Sequence, residues 1–255
     1  LRELIKKYNY DLNRYLPELI DSMKNFGDNG QIYGLPNTKV VYGLLYNKRL
    51  FEKFAVPFPK DGMTWDEAIQ LARRMTRVED GIQYRGLDIQ FYNIIGSQLN
   101  LEVIDRNGKA NMSNWLKAAT VFKQIYDIPG NNGPIAGTIA KTMDPFYKET
   151  LAMVAINPDT MFSSAKQYPD LQWDLVSVPT FPEAPNVDPY MNYTFFAVSP
   201  TSKYKEDAFK VIVHLNSDEV QTASIRKGFP TVLKNPEIQK QYTADLPELR
   251  DKNVQ

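Results

Sequence analysis

"IYGLPNTKVVYGLLYNKRLF", residues 32–51, decides the fold. Two apolar and aromatic runs, "QIYGLP" and "KVVYGLLYN", read as strands with a proline between them, and the second drops straight into a helix. That order is explained if the chain crosses here from one lobe to another, beside a ligand cleft.

Working outward, "LRELIKKYNY" carries Leu1, Leu4, Ile5 and Tyr8 at helical spacing, and "RYLPELIDSMKNFGDNG" reads as a short helix closed by a Gly-rich stop. "MTWDEAIQLARRMTR" places Thr64 three residues before Glu67, the pattern of a capping box, with Ala68, Leu71, Ala72 and Met75 along one face. "RGLDI" reads as a brief strand and "QFYNIIGSQL" as a helix, while "EVIDRNGKANM" reads as a hairpin turning at Asn107-Gly108. A helix capped by Ser113 follows, with Leu116, Ala119, Phe122 and Tyr126 expected on its apolar face. Asp144-Pro145 then opens another helix, and "LAMVAI" is a strand ending at Asn157-Pro158.

"LQWDLVSVP" is a strand that runs into four prolines between Pro179 and Pro189, the best linker in the chain. Beyond it come the aromatic strand "YMNYTFFAVSP" and helices in "KEDAFKVIVHLN", "SDEVQTASIRKG" and "NPEIQKQY". Strands alternating with helices predict an α/β architecture, and crossings near Leu35–Tyr42 and Pro179–Tyr190 predict two lobes. The first lobe is expected in 1–40 and again in 186–255, and the second in 41–185.

At 255 residues the chain is long enough for one large domain or two modest ones. Thirty basic residues balance thirty acidic ones, so no one-sided positive field exists to hold nucleic acid or an anionic membrane surface. The absence of cysteine excludes a disulfide framework, thiolate metal sites and cysteine nucleophiles. No run approaches the roughly 18 to 20 apolar residues of a membrane span.

Enzyme motifs are missing together: no phosphate loop, dinucleotide fingerprint, Gly-x-Ser-x-Gly elbow or His-Glu-x-x-His pair is present, and no cofactor is implied. His214, the single histidine, shares the polar side of its helix with Asp207 and Lys210 and reads as solvated. "DRNGK" at 105–109 lacks the spaced acidic ligands of a calcium loop and reads as a turn. Paired carboxylates are the remaining catalytic option; Asp88 and Asp159 both end expected strands, which keeps a carbohydrate-active hydrolase open as an alternative. An interaction scaffold without a small-molecule ligand is the third reading.

Aromatic residues are the positive signal, at 12% of the chain. Tyr42, Phe91, Tyr92, Tyr190 and Tyr193 fall near crossings and strand ends, where a flat apolar face plus a hydroxyl suits a sugar ring. Strand packing explains any one of them equally well.

Tyr33–Pro36, Leu45–Lys48, Val56–Pro59 and Thr64–Glu67 carry "YGLP", "LYNK", "VPFP" and "TWDE", and in that order the chain resembles the bacterial extracellular solute-binding proteins of ABC importers. The likeness is to the maltose-binding-like family, especially its oligosaccharide-binding lipoproteins. "LAMVAINPDTMF", "LVSVPTFPEAP" and "FFAVSPTSKYKEDAFKVIVHL" extend the resemblance over essentially all 255 residues. It departs from the family in two ways. The opening β-α-β units of the first lobe would lie before Leu1 and the closing helices after Gln255. Where relatives often have Gly and Trp, this chain has Pro158, Asp159, Thr160 and Met161, so Phe162 stands as the substitute stacking residue.

The resemblance implies a two-lobed periplasmic-binding-protein-like fold of type II with an incomplete first lobe, closing by hinge motion around a solute. It implies a non-enzymatic, monomeric receptor that delivers an oligosaccharide or glycoside to a membrane ABC permease, either extracellular and held by a lipid anchor on the outer face of the cytoplasmic membrane or periplasmic. Residue by residue it places Asn37, Thr38 and Lys39 at a cleft rim and Tyr42 at the crossing. Asp88, Gln90, Phe91 and Tyr92 follow on the second lobe's inner face, then Asn157 and Asp159 in the turn after Ile156, then Tyr190, Asn192 and Tyr193 at the second crossing. Trp65 matches a packing position. With Asp88 and Asp159 set against one Lys39, an anionic solute is disfavoured.

Overall fold

The structure is a computed structural model that describes residues 1–26, 28–90, 93–99, 104, 108–110, 115–132, 139–185, 187, 189 and 193–254. The chain divides into two compact units: unit 1 comprises 1–40, 191–250 and 255, and unit 2 comprises 41–190 and 251–254.

Unit 2 is built on a mixed sheet. In chain order its strands are β2 (Gly43–Asn47), β3 (Arg77–Glu79), β4 (Ile82–Ile89), β5 (Leu151–Ile156) and β6 (Trp173–Ser177), arranged spatially as β3-β4-β5-β2-β6. β4 and β5 run parallel, and the other neighbours are antiparallel. β2 and β5 are buried at every position, which accounts for their unbroken apolar runs "GLLY" and "LAMVAI". Asn47, the polar end of β2, caps the next helix, α3 (Lys48–Lys53), by accepting from Leu50 N at 3.0 Å.

Helix α4 (Trp65–Met75) covers the sheet with Trp65, Ala68, Ile69, Ala72 and Met75 buried. The expected capping box is present: Glu67 N donates to Thr64 Oγ1 at 3.3 Å, and Thr64 N donates to Glu67 Oε2 at 2.7 Å. Those bonds hold the Glu67 carboxyl below its ordinary range. Trp65 is buried and donates its indole N–H to Gln98 Oε1 at 2.8 Å, in keeping with a packing role. α4 lies so close to β4 that a Cβ on Gly86 would meet the Ala72 carbonyl oxygen at 2.1 Å.

Local readings differ from the structure in five places. β4 extends back to Ile82 and pairs with β3 through an Asp80-Gly81 turn in which both residues have positive φ, 52° and 75°. That is the geometry a two-residue hairpin demands, and the Asp-Gly pair was its visible signal. Helix α6 (Leu116–Tyr126) buries Ala118, Val121 and Ile125, whereas Leu116 is 70% exposed; the buried stripe lies one position before the expected one. Pro145 sits inside α7 (Ile139–Tyr147), in its last turn, instead of opening it. The Pro-rich stretch is no free linker: Thr180 N donates to Met63 O, Trp65 N donates to Thr180 O, and Gln98 Nε2 donates to Pro179 O at 2.9 Å. Lastly, 251–254 docks on unit 2, with Asn253 N donating to Asp174 Oδ1 and Asn253 Nδ2 to Asp61 Oδ2, both at 2.8 Å. The sequence expectation had grouped those residues with the first lobe. The expected hairpin survives as an Ile104–Ala110 bridge, and its Asn107, like the Ser113 cap, lies outside the described residues.

Unit 1 joins the outer sections of the chain. β1 (Gly34–Lys39) pairs antiparallel with β7 (Tyr193–Ala197). Helices α1 (Arg2–Lys7), α2 (Pro17–Phe26), α9 (Lys205–Leu215), α10 (Asp218–Arg226) and α11 (Pro236–Gln239) complete it. Leu16 N donates to Val232 O, Lys234 N donates to Arg14 O, and the shared core contains Tyr15, Leu19, Leu35, Phe209, Ile212 and Val232. Burial pushes the Tyr15 hydroxyl far up. His214 is exposed, as a solvated helix face requires.

Gly86→Ala is expected to lower stability by about 3 kcal/mol, since the added carbon meets backbone that cannot rotate aside. Gly62→Ala, whose Cβ would meet nothing within 4 Å despite a φ of +73°, is expected to lose only about 1 kcal/mol. Urea unfolding of the two variants checks the ranking.

Candidate functional site

Parallel strands end at the same edge of a sheet, so β4 and β5 bring residues far apart in sequence together just beyond Ile89 and Ile156. Gln90 follows β4, and its N–H donates to Ala155 O at 3.0 Å. Asn157 follows β5, and its N–H donates to Gln90 Oε1 at 3.3 Å. Asp159 opens α8 (Asp159–Ser164), and its N–H donates to Asn157 Oδ1 at 2.9 Å. Gln90, Asn157 and Asp159, all half-buried, therefore form one chain of hydrogen bonds at the carboxyl end of the parallel pair, where open α/β sheets bind ligands. Tyr42 stands at the same edge, immediately before Gly43, which pairs with Ile156 of β5 and Ser177 of β6; it is half-buried against the core.

Asp159 is the electrostatic oddity of this group. Its Oδ1 is buried without a hydrogen-bond partner among the described residues. Burial raises its pKa to about 6, against smaller opposing effects from the Asn157 side chain and its own backbone N–H.

Asp88 is a correction. Sequence reading put it on an open inner face, but it is 2% exposed and its carboxylate is engaged throughout. Arg85 Nη2 donates to Oδ2 at 2.8 Å, while Tyr126 OH, at 2.7 Å, and Ile89 N, at 2.9 Å, donate to Oδ1. Tyr126 also accepts from Ile89 N at 3.2 Å, and its hydroxyl is pushed far up, first by burial and then by Asp88. Asn131, fully buried, completes the frame by accepting from Gly86 N and donating to Leu87 O and Ile125 O. An Asp88–Asp159 catalytic pair is thereby ruled out, because one member is locked in an ion pair inside the protein. Arg85 is also the cation that the charge inventory of the site had lacked. Phe162 is a second correction: at 4% exposure it belongs to the core near Trp173, with ring centroids 6.3 Å apart, and offers no stacking face.

In unit 1, Asn37 is the extra residue of a β-bulge, lying between the pairs Pro36–Phe195 and Thr38–Thr194. Its carbonyl accepts from Gln221 Nε2 at 3.1 Å, and its side-chain amide donates to Thr38 Oγ1 at 3.0 Å. Gln221 was not singled out from the sequence. Buried, it also donates to Leu215 O and accepts from Thr231 Oγ1 and Val232 N, so the bulge rests on a saturated amide. Lys39 N donates to Pro230 O at 3.4 Å, and Lys39 pairs across the ribbon with Tyr193, whose hydroxyl donates to Ser22 Oγ at 2.9 Å. Phe91, Tyr92, Tyr190 and Asn192 lie outside the described residues.

The family model described as bacterial extracellular solute-binding protein matches residues 3–248. A binding protein of Brucella abortus (strain 2308) is 23% identical over 193 residues, 72% of this chain and 46% of the relative. A Listeria monocytogenes ABC substrate-binding protein in complex with cycloalternan aligns at TM-score 0.72 and 20% identity, covering 95% of this chain and 63% of that one. UgpB of Mycobacterium tuberculosis in complex with glycerophosphocholine gives 0.74 and 17%, covering 98% and 64%. CpMnBP1 with bound mannobiose gives 0.72 and 18%, covering 97% and 64%. At these identities the likeness to solved structures is one of fold, and the chain spans about half the length of the curated relatives it matches.

Two outcomes test the assignments. Asp88→Ala should cost about 3–5 kcal/mol, because it leaves the Arg85 guanidinium buried without its counter-charge. Asp159 should act in the opposite sense. A carboxyl whose folded pKa is raised favours the protonated folded state, so its ionisation weakens the fold progressively as pH rises from about 4 to 6. Asp159→Asn should therefore gain stability over the parent across that window, by at most about 3 kcal/mol at pH 7. Denaturant unfolding at pH 4, 5 and 7 reads both.

Proposed function

Because the chain belongs to the bacterial extracellular solute-binding protein family, we propose that it is part of the receptor of an ABC importer that captures an oligosaccharide or glycoside and hands it to a membrane permease. The observation that carries this reading is the hydrogen-bonded row Gln90, Asn157 and Asp159 at the carboxyl end of β4 and β5, polar groups held ready beside a half-buried Tyr42. A sugar needs such a site: many directional polar contacts and an apolar ring face. The complexes with cycloalternan and mannobiose among the fold relatives point the same way.

Members of the family bind solutes and do not transform them, and with Asp88 locked in its ion pair, Asp88 and Asp159 do not form the pair that glycoside hydrolysis requires. Solute contacts from Asn37, Thr38, Lys39 and Tyr193 belong to the same proposal. So do a monomeric state and a lipid anchor on the outer face of the membrane; extracellular placement itself follows from the family. A receptor for a non-sugar solute is the second reading, favoured by the glycerophosphocholine complex of UgpB.

A thermal-shift screen of the intact protein against mono- and oligosaccharides, polyols and glycerophosphodiesters separates the two. A cognate sugar at about 100 times its dissociation constant should add roughly 2.7 kcal/mol of stability and raise the melting temperature. A shift with glycerophosphodiesters alone would replace the carbohydrate reading with the second one, and no shift with any solute would overturn the receptor reading.

A further inference from the structure

The sheet of unit 2 has two edges, and they differ. β3 is an edge of three residues, too short to offer much of a template. β6, at the other edge, is five residues long and pairs only with β2. Alternate residues of such a strand turn their N–H groups away from the one partner they have, and unpaired N–H groups invite a strand from another molecule. In β6 two of these groups are already taken: Leu175 N donates to Asp174 Oδ1 at 2.9 Å, and Ser177 N donates to Asp61 Oδ1 at 2.7 Å.

The same two carboxylates hold a second piece of chain. Asn253 N donates to Asp174 Oδ1 and Asn253 Nδ2 donates to Asp61 Oδ2, both at 2.8 Å. Asp174 belongs to β6 itself, whereas Asp61 lies in the loop between α3 and α4, so Asn253 spans two elements. Lys252 sits over the Trp173 ring, its Nζ 5.2 Å from the centroid, where burial pulls its pKa down and the Asp174 carboxylate pushes it back up. An ammonium, an amide and a backbone N–H thus fasten 251–254 to unit 2, although 191–250 belong to unit 1. Asp61 and Asn253 are exposed, so each bond is individually weak and the fastening depends on their acting together.

We propose that residues 251–254 cap the open edge of β6, held there by Asp61 and Asp174, and so keep a second copy of this chain from pairing strand to strand with it. The proposal is independent of which solute the protein binds. Every copy carries the same edge, so an antiparallel β6–β6 pair about a two-fold axis would satisfy both edges and join two sheets into one. The carboxylates alone blunt the edge, by their charge and by occupying its N–H groups. Opening it fully therefore requires removing a carboxylate as well as the segment.

Variants of the intact protein separate the two parts. Asn253→Pro removes both the backbone donor and the side-chain amide, and Asp61→Ala added to it frees Ser177 N–H as well. Hydrogen exchange read by mass spectrometry should show the backbone of 173–177 exchanging about tenfold faster in Asn253→Pro than in the parent, with β4 and β5 unchanged. Sedimentation velocity over about a hundredfold range of concentration should leave the parent unchanged and show the double variant associating as concentration rises. Unchanged exchange at 173–177 in Asn253→Pro would overturn the cap. So would a double variant that exchanges fast at 173–177 yet keeps the parent's size at every concentration, or a parent whose own association protects 173–177. Asn253→Ala retains the backbone donor, so its exchange at 173–177 should lie between those of the parent and Asn253→Pro. Equality with the parent there overturns the assignment whether or not the double variant folds.

Discussion

The parallel pairing of β4 with β5 governs unit 2. Antiparallel strands can be closed by a short turn, but parallel ones need a long crossover, and here that crossover carries α6 and α7. Because both strands run the same way, their ends coincide, and Gln90 meets Asn157 across 67 residues of sequence. The pairing tolerates little variation. Gly86 leaves no space between β4 and α4, and the strand pair is filled by side chains that are fully buried along β5.

Polar side chains hold this arrangement as firmly as apolar ones. Asn131 bonds to β4 and to the end of α6, Gln98 bonds to the α4 indole and to the Pro-rich stretch, and Gln221 does the equivalent work in unit 1. Each is buried, and each uses both ends of its amide. Such groups are costly when half-satisfied and specifying when complete. The Arg85–Asp88 pair obeys the same logic on its carboxylate side, where Tyr126 and a backbone N–H meet the remaining lone pairs, while Arg85 Nε stays buried without a partner among the described residues. Asp159 contrasts with Asp88: its Oδ1, like Arg85 Nε and Asn216 Oδ1, is buried without a hydrogen-bond partner among the described residues.

Much of the fold was legible because local signals and tertiary packing agreed. Thr64 and Glu67 marked the start of α4, and the apolar run of β5 ended where Asn157-Pro158 ended it. The errors arose where two stripes or two partners competed. Helix α6 carries Phe122 and Tyr126 beside Val121 and Ile125, and periodicity alone favours the larger aromatic stripe; packing selected the aliphatic one and left the aromatics at its border. The proline count made 179–189 look like a linker, since composition shows the missing donors but not the carbonyls that α4 and Gln98 bind.

Residue identities by themselves determined the alternation of strands and helices, the capped helix starts, the absence of cysteine and of phosphate-loop motifs, and the balanced charge, because each depends on one residue or its near neighbours. Tertiary structure alone decided which of two chemically identical carboxylates is locked away. Asp88 and Asp159 each end a strand or open the turn beyond one, and their local sequences do not tell them apart. The difference comes from Arg85, three residues earlier on the same strand, and Tyr126 of a distant helix reaching Asp88, while nothing among the described residues hydrogen-bonds Asp159 Oδ1. Charge environment is a property of three-dimensional neighbours, and sequence distance carries little information about it.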